Sequence, residues 1–177
     1  MLLSARGKLT KIGATMSEKQ LRQLSIAIGG KLKQRAAWVT CAESCTGGWV
    51  AKALTDIAGS SAYFDRGFVT YSNAAKHDLL GVKESTLAEY GAVSEAVVRE
   101  MAWGALRAAN ADFAVSISGI AGPDGGTAEK PVGTVWFAFA TRDGQASAKK
   151  QIFSGDRDEV RLQAAVFALQ TLFDDFL

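Results

Sequence analysis

The sequence predicts an α/β fold: a three-layer α/β/α sandwich around a mixed β-sheet, with helices on both faces. Two observations carry this. Helical and strand patterns alternate through the first two thirds of the chain, which favours parallel strands joined by helical crossovers. A strand–turn–strand pattern near the C-terminus adds an antiparallel hairpin to that sheet. Composition agrees, with 177 residues, 48% hydrophobic and 21% charged, as expected of one globular domain that buries a core without covalent staples.

The elements follow in order. Ser17 and Gln20 form the pattern of a capping box, and Leu21, Leu24, Ile28 and Leu32 follow at helical spacing, so an amphipathic helix is expected from Ser17 to Arg35. The Gly29-Gly30 pair weakens it locally. Residues 37–42 read as a buried strand, and 46–57 as a helix that Gly59 ends. Ala62 to Tyr71 is aromatic and β-branched and predicts a strand. Ser72 or Asn73 caps a short helix to Leu80, closed by Gly81, and another covers 84–90 before Gly91. A longer helix starts at Ser94 and carries Val97, Val98, Met101, Ala105 and Leu106. Phe113 to Ser118 is a strand running into the densest glycine loop, 119–127. A strand over 132–141, a turn at Arg142-Asp143-Gly144-Gln145, a strand over 146–153 and a helix over 157–176 complete the domain.

Residues 1–16 carry Arg6, Lys8 and Lys11 and no acid. They are expected to be a disordered tail, or to precede a start at Met16, leaving 17–177 as the domain. Met1-Leu2-Leu3 is too short for a signal core. No apolar run reaches the roughly 18 residues of a membrane span. A net charge of +2 gives no footprint for nucleic acid. Two cysteines and one histidine give neither a disulfide framework nor a His-rich metal centre. A cytoplasmic protein with reduced thiols, needing neither metal nor cofactor, is the expectation.

Chemistry concentrates on three turns that follow strands. If those strands run parallel, the turns meet on one rim, where α/β sheets bind their ligands. On the first, Ser44 precedes Thr46, Gly47 and Gly48. This puts a hydroxyl beside the free N–H groups of a helix start, which suits a serine nucleophile with an oxyanion hole. A capping serine and a glycine turn account for the same residues. The second turn holds Tyr71 and Lys76. A Ser-Lys pair needs no histidine, and His77 points about 100° away from Lys76 on a helix. To act as a base, Lys76 must lose roughly three pKa units from about 10.4, through burial, with Tyr71 placed to relay or orient its proton. A solvated lysine and a half-buried tyrosine are the plainer alternatives. Cys45 paired with His77 is a second possible nucleophile, against its reading as a small apolar residue. The third turn, Ser118-Gly119 onward, gives backbone N–H groups and room for close approach. Arg157 opens the last helix, where the dipole does not favour it, so an external anion such as phosphate accounts for it, as does a salt bridge to Asp156 or Glu159.

Six blocks then occur in order: Glu43-Ser44-Cys45-Thr46-Gly47-Gly48; Gly67 to Asn73 with Lys76; Gly91-Ala92-Val93-Ser94; Gly119-Ile120-Ala121-Gly122-Pro123; Lys130 to Val135; and Gly155-Asp156-Arg157. Together, over nearly all of 17–177, they resemble the CinA C-terminal domain family. The resemblance implies hydrolysis of the carboxamide of nicotinamide mononucleotide to nicotinate mononucleotide and ammonia. It implies Ser44 as nucleophile, Lys76 as general base with Tyr71 as its partner, and Thr46, Gly47 and Gly48 at the oxyanion hole. It places Ser118 and Gly119 in the substrate loop and Arg157 in a Gly-Asp-Arg motif. The family commonly has threonine where Ser118 stands, so the hydroxyl is kept and a methyl lost. Two other classes stay open: a non-catalytic nucleotide- or partner-binding domain linked to competence or DNA damage, and an amidase for another small carboxamide. A homodimer is the default expectation for assembly.

Overall fold

The computed structural model describes the backbone of residues 6–177 and the side chains from Glu18 onward. Its first helix, α1 (Arg6–Arg35), contains Ser17 instead of starting at it. Of the expected tail, residues 1–5 lie outside the described residues. The chain continues through β1 (Val39–Glu43), α2 (Trp49–Thr55), β2 (Phe68–Val69), α3 (Asn73–Leu80), α4 (Glu84–Tyr90) and α5 (Glu95–Ala109). It ends with β3 (Phe113–Gly119), β4 (Thr134–Thr141), β5 (Ala146–Ile152) and α6 (Arg157–Phe176).

The five strands form one sheet in the order β2-β1-β3-β4-β5. β2, β1 and β3 are parallel, while β4 and β5 run antiparallel as the predicted hairpin. The sheet is therefore mixed and helices cover both faces, as expected. Strand alternation sorts the two cores. Val39, Cys41, Val115, Ile117, Val135, Phe137 and Phe139 face α1, α2 and α6. Ala42, Ala114, Ala138 and Ala140 face the side of α3, α4 and α5. Large side chains hold one layer off, and alanines let α5 sit close. Along α1, Leu21, Leu24, Ile28 and Leu32 are buried, each contributing about 2 kcal/mol by leaving water.

One expected strand is mostly absent. Over 62–71, only Phe68 and Val69 pair with β1 in the β2 ladder, and Ser60–Ala62 forms a 3-10 turn. Tyr63 explains the difference, because it is buried at 1% exposure instead of alternating on a pleat. Its ring lies against Gly29 of α1, where an added Cβ would stand 2.6 Å from the Tyr63 hydroxyl. Gly29, a weak point in helix propensity, is thus the opening that admits the ring. Trp49 and Phe173 pack against the first core and Trp103 against the second.

Because β1, β2 and β3 are parallel, Glu43, Val69 and Gly119 end at the same edge of the sheet. The turns after them meet there, as the sequence anticipated.

Candidate active site

Ser44 is the first residue beyond β1. Its N–H donates to the Ile117 carbonyl at 3.0 Å, which ties the turn to β3. Lys76 projects from α3, whose start is fixed by the Ser72 hydroxyl accepting from the Ala75 N–H at 3.0 Å. Lys76 is 1% exposed, and its Nζ donates to Ser44 Oγ at 3.0 Å. The same Nζ donates to the Thr70 carbonyl at 2.7 Å and the Tyr71 carbonyl at 3.2 Å. Three acceptors match the three hydrogens of an ammonium. No carboxylate among the described residues pairs with Lys76. Burial therefore disfavours its charge and pushes its pKa down to about 8.

In the neutral amine, the Thr70 and Tyr71 carbonyls can hold the two remaining hydrogens. The lone pair then faces Ser44 Oγ, and the hydroxyl donates to it. Tyr71 meets Lys76 through its main-chain carbonyl. Its phenol, on a 61% exposed side chain, accepts from Arg157 Nη2 at 3.1 Å. The phenol, expected to relay or orient the Lys76 proton, is hydrogen-bonded to Arg157, while the Tyr71 main-chain carbonyl meets Lys76.

Glu43, the last residue of β1, is fully buried. Its Oε1 accepts from the N–H groups of Gly48 at 3.2 Å and Val50 at 2.9 Å, and its Oε2 from Ala51 at 2.9 Å. A carboxylate thus occupies the N-terminus of α2 and satisfies its free donors and dipole. Gly47 N–H donates to the Ser44 carbonyl at 3.0 Å. Gly47 and Gly48, expected as oxyanion donors, therefore have their N–H groups engaged. They instead supply backbone with φ of +59° and +102°. Among the described residues, the N–H groups of Cys45 and Thr46 have no acceptor on another residue.

Ser44, Cys45, Lys76, Tyr71, Ser118, Gly119 and Arg157 line one cleft of about 220 Å³ with Ala92, Val93 and Ala121. Ser118 is buried at the end of β3. Gly119 is required there, since a Cβ would lie 2.6 Å from Val135 Cγ2 and 2.9 Å from the Thr134 carbonyl. Arg157 Nη1 donates to the Gly122 carbonyl at 2.7 Å, so it clasps the glycine loop to Tyr71. Neither Asp156 nor Glu159 pairs with it. Those two residues form the capping box of α6 instead.

Cys45 and His77, the other candidate pair, are not brought together. Cys45 is buried, and desolvation pushes its thiol up to about 12. His77 Nδ1 donates to the Val82 carbonyl at 2.8 Å, and its Nε2 lies 3.9 Å from Glu84, both outside the cleft. Among the described residues no group of three or more His, Cys, Asp or Glu is placed to hold a metal ion, and no helix is long and apolar enough to cross a membrane.

Two residues escaped the sequence reading. Glu43 was visible only as part of a motif. Arg161, one turn beyond Arg157 on α6, donates through Nε to the Cys45 carbonyl at 3.0 Å and through Nη2 to the Thr46 carbonyl at 3.3 Å. Nothing near it in sequence signals a contact across 116 positions.

Comparison with known proteins identifies the family. The chain is 72% identical over 162 residues to a protein of Enterobacter agglomerans named nicotinamide-nucleotide amidohydrolase PncC, covering 92% of this chain and 99% of that one. It is 67% identical to the Escherichia coli K12 protein of the same name, covering 92% and 98% respectively. The crystal structure of competence/damage inducible protein CihA from Agrobacterium tumefaciens superposes with a TM-score of 0.85 at 47% identity, covering 86% of this chain and 93% of that one. The family model for the CinA C-terminal domain matches residues 21–176. With fold, motif order and family model in agreement, the chain belongs to the CinA C-terminal domain family.

Proposed function

We propose that the protein is a nicotinamide-nucleotide amidase that hydrolyses the carboxamide of nicotinamide mononucleotide through Ser44 and Lys76. The 3.0 Å contact between Ser44 Oγ and a buried lysine without a carboxylate partner carries this reading. The names of the relatives at 72% and 67% identity supply the substrate.

Ser44 Oγ attacks the carboxamide carbon while its proton passes to Lys76 Nζ. The oxyanion is held by the N–H groups of Cys45 and Thr46, the unspent donors of the turn. Lys76 returns the proton to the leaving nitrogen, the C–N bond breaks, and ammonia departs. Water then adds to the Ser44 ester with Lys76 again as base, releasing nicotinate mononucleotide. Arg157 offers the cation for the substrate phosphate, and Ser118 with the amides of the following loop offers neutral donors. With a pKa of about 8, roughly one Lys76 in ten is neutral at pH 7, enough for a base in resting enzyme.

The test is ammonia and nicotinate mononucleotide formation by wild type and Ser44→Ala, with and without a chelator. Release by wild type alone, unaffected by the chelator, supports the proposal. Full release by Ser44→Ala overturns the nucleophile.

A further inference from the structure

We propose that Arg161 is a positioning residue of the oxyanion hole, acting from outside the active-site cleft. The inference deepens the amidase reading and rests on it.

The guanidinium lies behind the nucleophile turn. It lines a second cleft of about 680 Å³ with Leu21, Arg22, Gly47, Trp49 and Lys52, and it is absent from the lining of the Ser44 cleft. Its plane sits over the Trp49 ring at 5.5 Å, which limits its freedom. From there it donates to the carbonyls of Cys45 and Thr46. The Cys45–Thr46 peptide is trans, so its N–H points opposite to its carbonyl. Pulling the Cys45 carbonyl outward turns the Thr46 N–H toward the side where Ser44 sits. A cationic donor on that carbonyl also polarises the amide and strengthens its N–H as a donor.

The surrounding residues fit this role. The Gly48 N–H is consumed by Glu43 and the Gly47 N–H by the Ser44 carbonyl. The turn can therefore offer only Cys45 and Thr46 to an oxyanion, and one of those two peptides is fixed by Arg161. A Cβ at Gly47 would approach Arg161 Nη2 to 3.1 Å, so the glycine leaves the guanidinium its place. Arg161 Nη1 forms a long ion pair at 4.0 Å with the exposed Asp158, while its Nε and Nη2 face the peptide carbonyls.

The experiment compares wild type with Arg161→Met, which keeps a stem against Trp49 and loses the donors, with Arg161→Lys, and with Arg161→Ala in added guanidinium chloride. Two readouts are taken: steady-state ammonia release, and the rate at which a fluorophosphonate labels Ser44. In the labelling step Ser44 Oγ bonds to phosphorus, its proton goes to Lys76, fluoride leaves, and the phosphoryl oxygen occupies the same hole. Arg161→Met is expected to lower kcat and the labelling rate about tenfold or more, with KM and the pH limb set by Lys76 unchanged. Arg161→Lys should fall between. Guanidinium, but not ammonium, should restore Arg161→Ala through the open outer cleft.

Labelling and kcat within about twofold of wild type for Arg161→Met would overturn the proposal. So would a rate loss that comes with a displaced pH limb and no guanidinium rescue, because Arg161 would then act on the fold. Ser44 labelling without ammonia release in wild type would remove the substrate reading and leave the labelling series to decide Arg161. Neither labelling nor release in wild type would overturn both.

Discussion

The turn after β1 and the loop after β3 meet at one rim but are built in opposite ways. Ser44, Cys45 and Thr46 are buried, and the turn is held by Ile117, Glu43 and Arg161. Residues 123–129 are exposed. The loop is held mainly where Ile120 and Gly133 bond each other and Thr134, where Thr127 meets Lys130, and where Arg157 reaches Gly122. The proposed chemistry, which tolerates little displacement, is assigned to the fixed turn. The proposed nucleotide contacts, which need only bind, are assigned to the open loop. Changes to the turn should therefore act on kcat or on stability, and changes on the loop side on KM.

The largest effects test the turn. Ser44→Ala should lower kcat by about 10⁴-fold or more and leave KM nearly unchanged. Lys76→Met should cost about 10³-fold. Its wild-type counterpart should show kcat/KM rising with pH to a plateau above about 8, since the base must be unprotonated. Stability carries the same sign. The native pKa of Lys76 is depressed from 10.5 to about 8, so the unfolded chain binds more protons between those values. Wild type should gain stability relative to Lys76→Met as pH rises through that window. A flat difference in denaturant midpoints would show that Lys76 is not buried as an isolated cation.

Glu43→Gln comes next and separates scaffold from chemistry on the same turn. An amide NH₂ cannot accept from both sides of the α2 terminus, so a buried N–H loses its partner. A loss of about 3 kcal/mol in unfolding free energy is expected, read from denaturant melts. Residual kcat per folded molecule should fall much less than in Ser44→Ala. An equal fall would mean that Glu43 touches the reaction itself.

How much of this was legible in the sequence follows the same division. The strands read at 113–118 and 132–141 match β3 and β4, and glycines marked the ends of α3 and α4, because both signals are local. Ser44 and Lys76 stood out because they lie on turns that follow strands, and Arg157 because the dipole disfavours an arginine at a helix start. Tyr63 misled the strand pattern because its partner, Gly29, lies in another helix. The acceptors for Lys76 are main-chain carbonyls, which no side-chain motif reports. Arg161 reads as an ordinary helix residue until α6 packs beside the nucleophile turn.

The loop side should respond more gently. Arg157→Ala removes the cation proposed for the phosphate and releases the clasp between Gly122 and Tyr71. KM should rise about tenfold or more, as for loss of a charge-assisted hydrogen bond, with a smaller change in kcat. A substrate analogue lacking the phosphate should be insensitive to the substitution. If both substrates weaken equally, Arg157 serves to shape the loop and the phosphate is held elsewhere.

The smallest effect is expected at Cys45, directly beside the largest. Its side chain is 5% exposed, and its thiol is pushed up to about 12, so at pH 7 only about one molecule in 10⁵ carries a thiolate. The adjacent Ser44 hydroxyl instead has Lys76 Nζ at 3.0 Å. Cys45→Ala keeps the backbone N–H proposed for the oxyanion and removes only a small buried group. It should cost about 1 kcal/mol of stability and leave kcat within about threefold of wild type. The pair of neighbours is thus a sharp test of what the turn does. Loss of activity in Cys45→Ala with retention in Ser44→Ala would transfer the nucleophile to sulfur and leave the buried lysine without a catalytic partner.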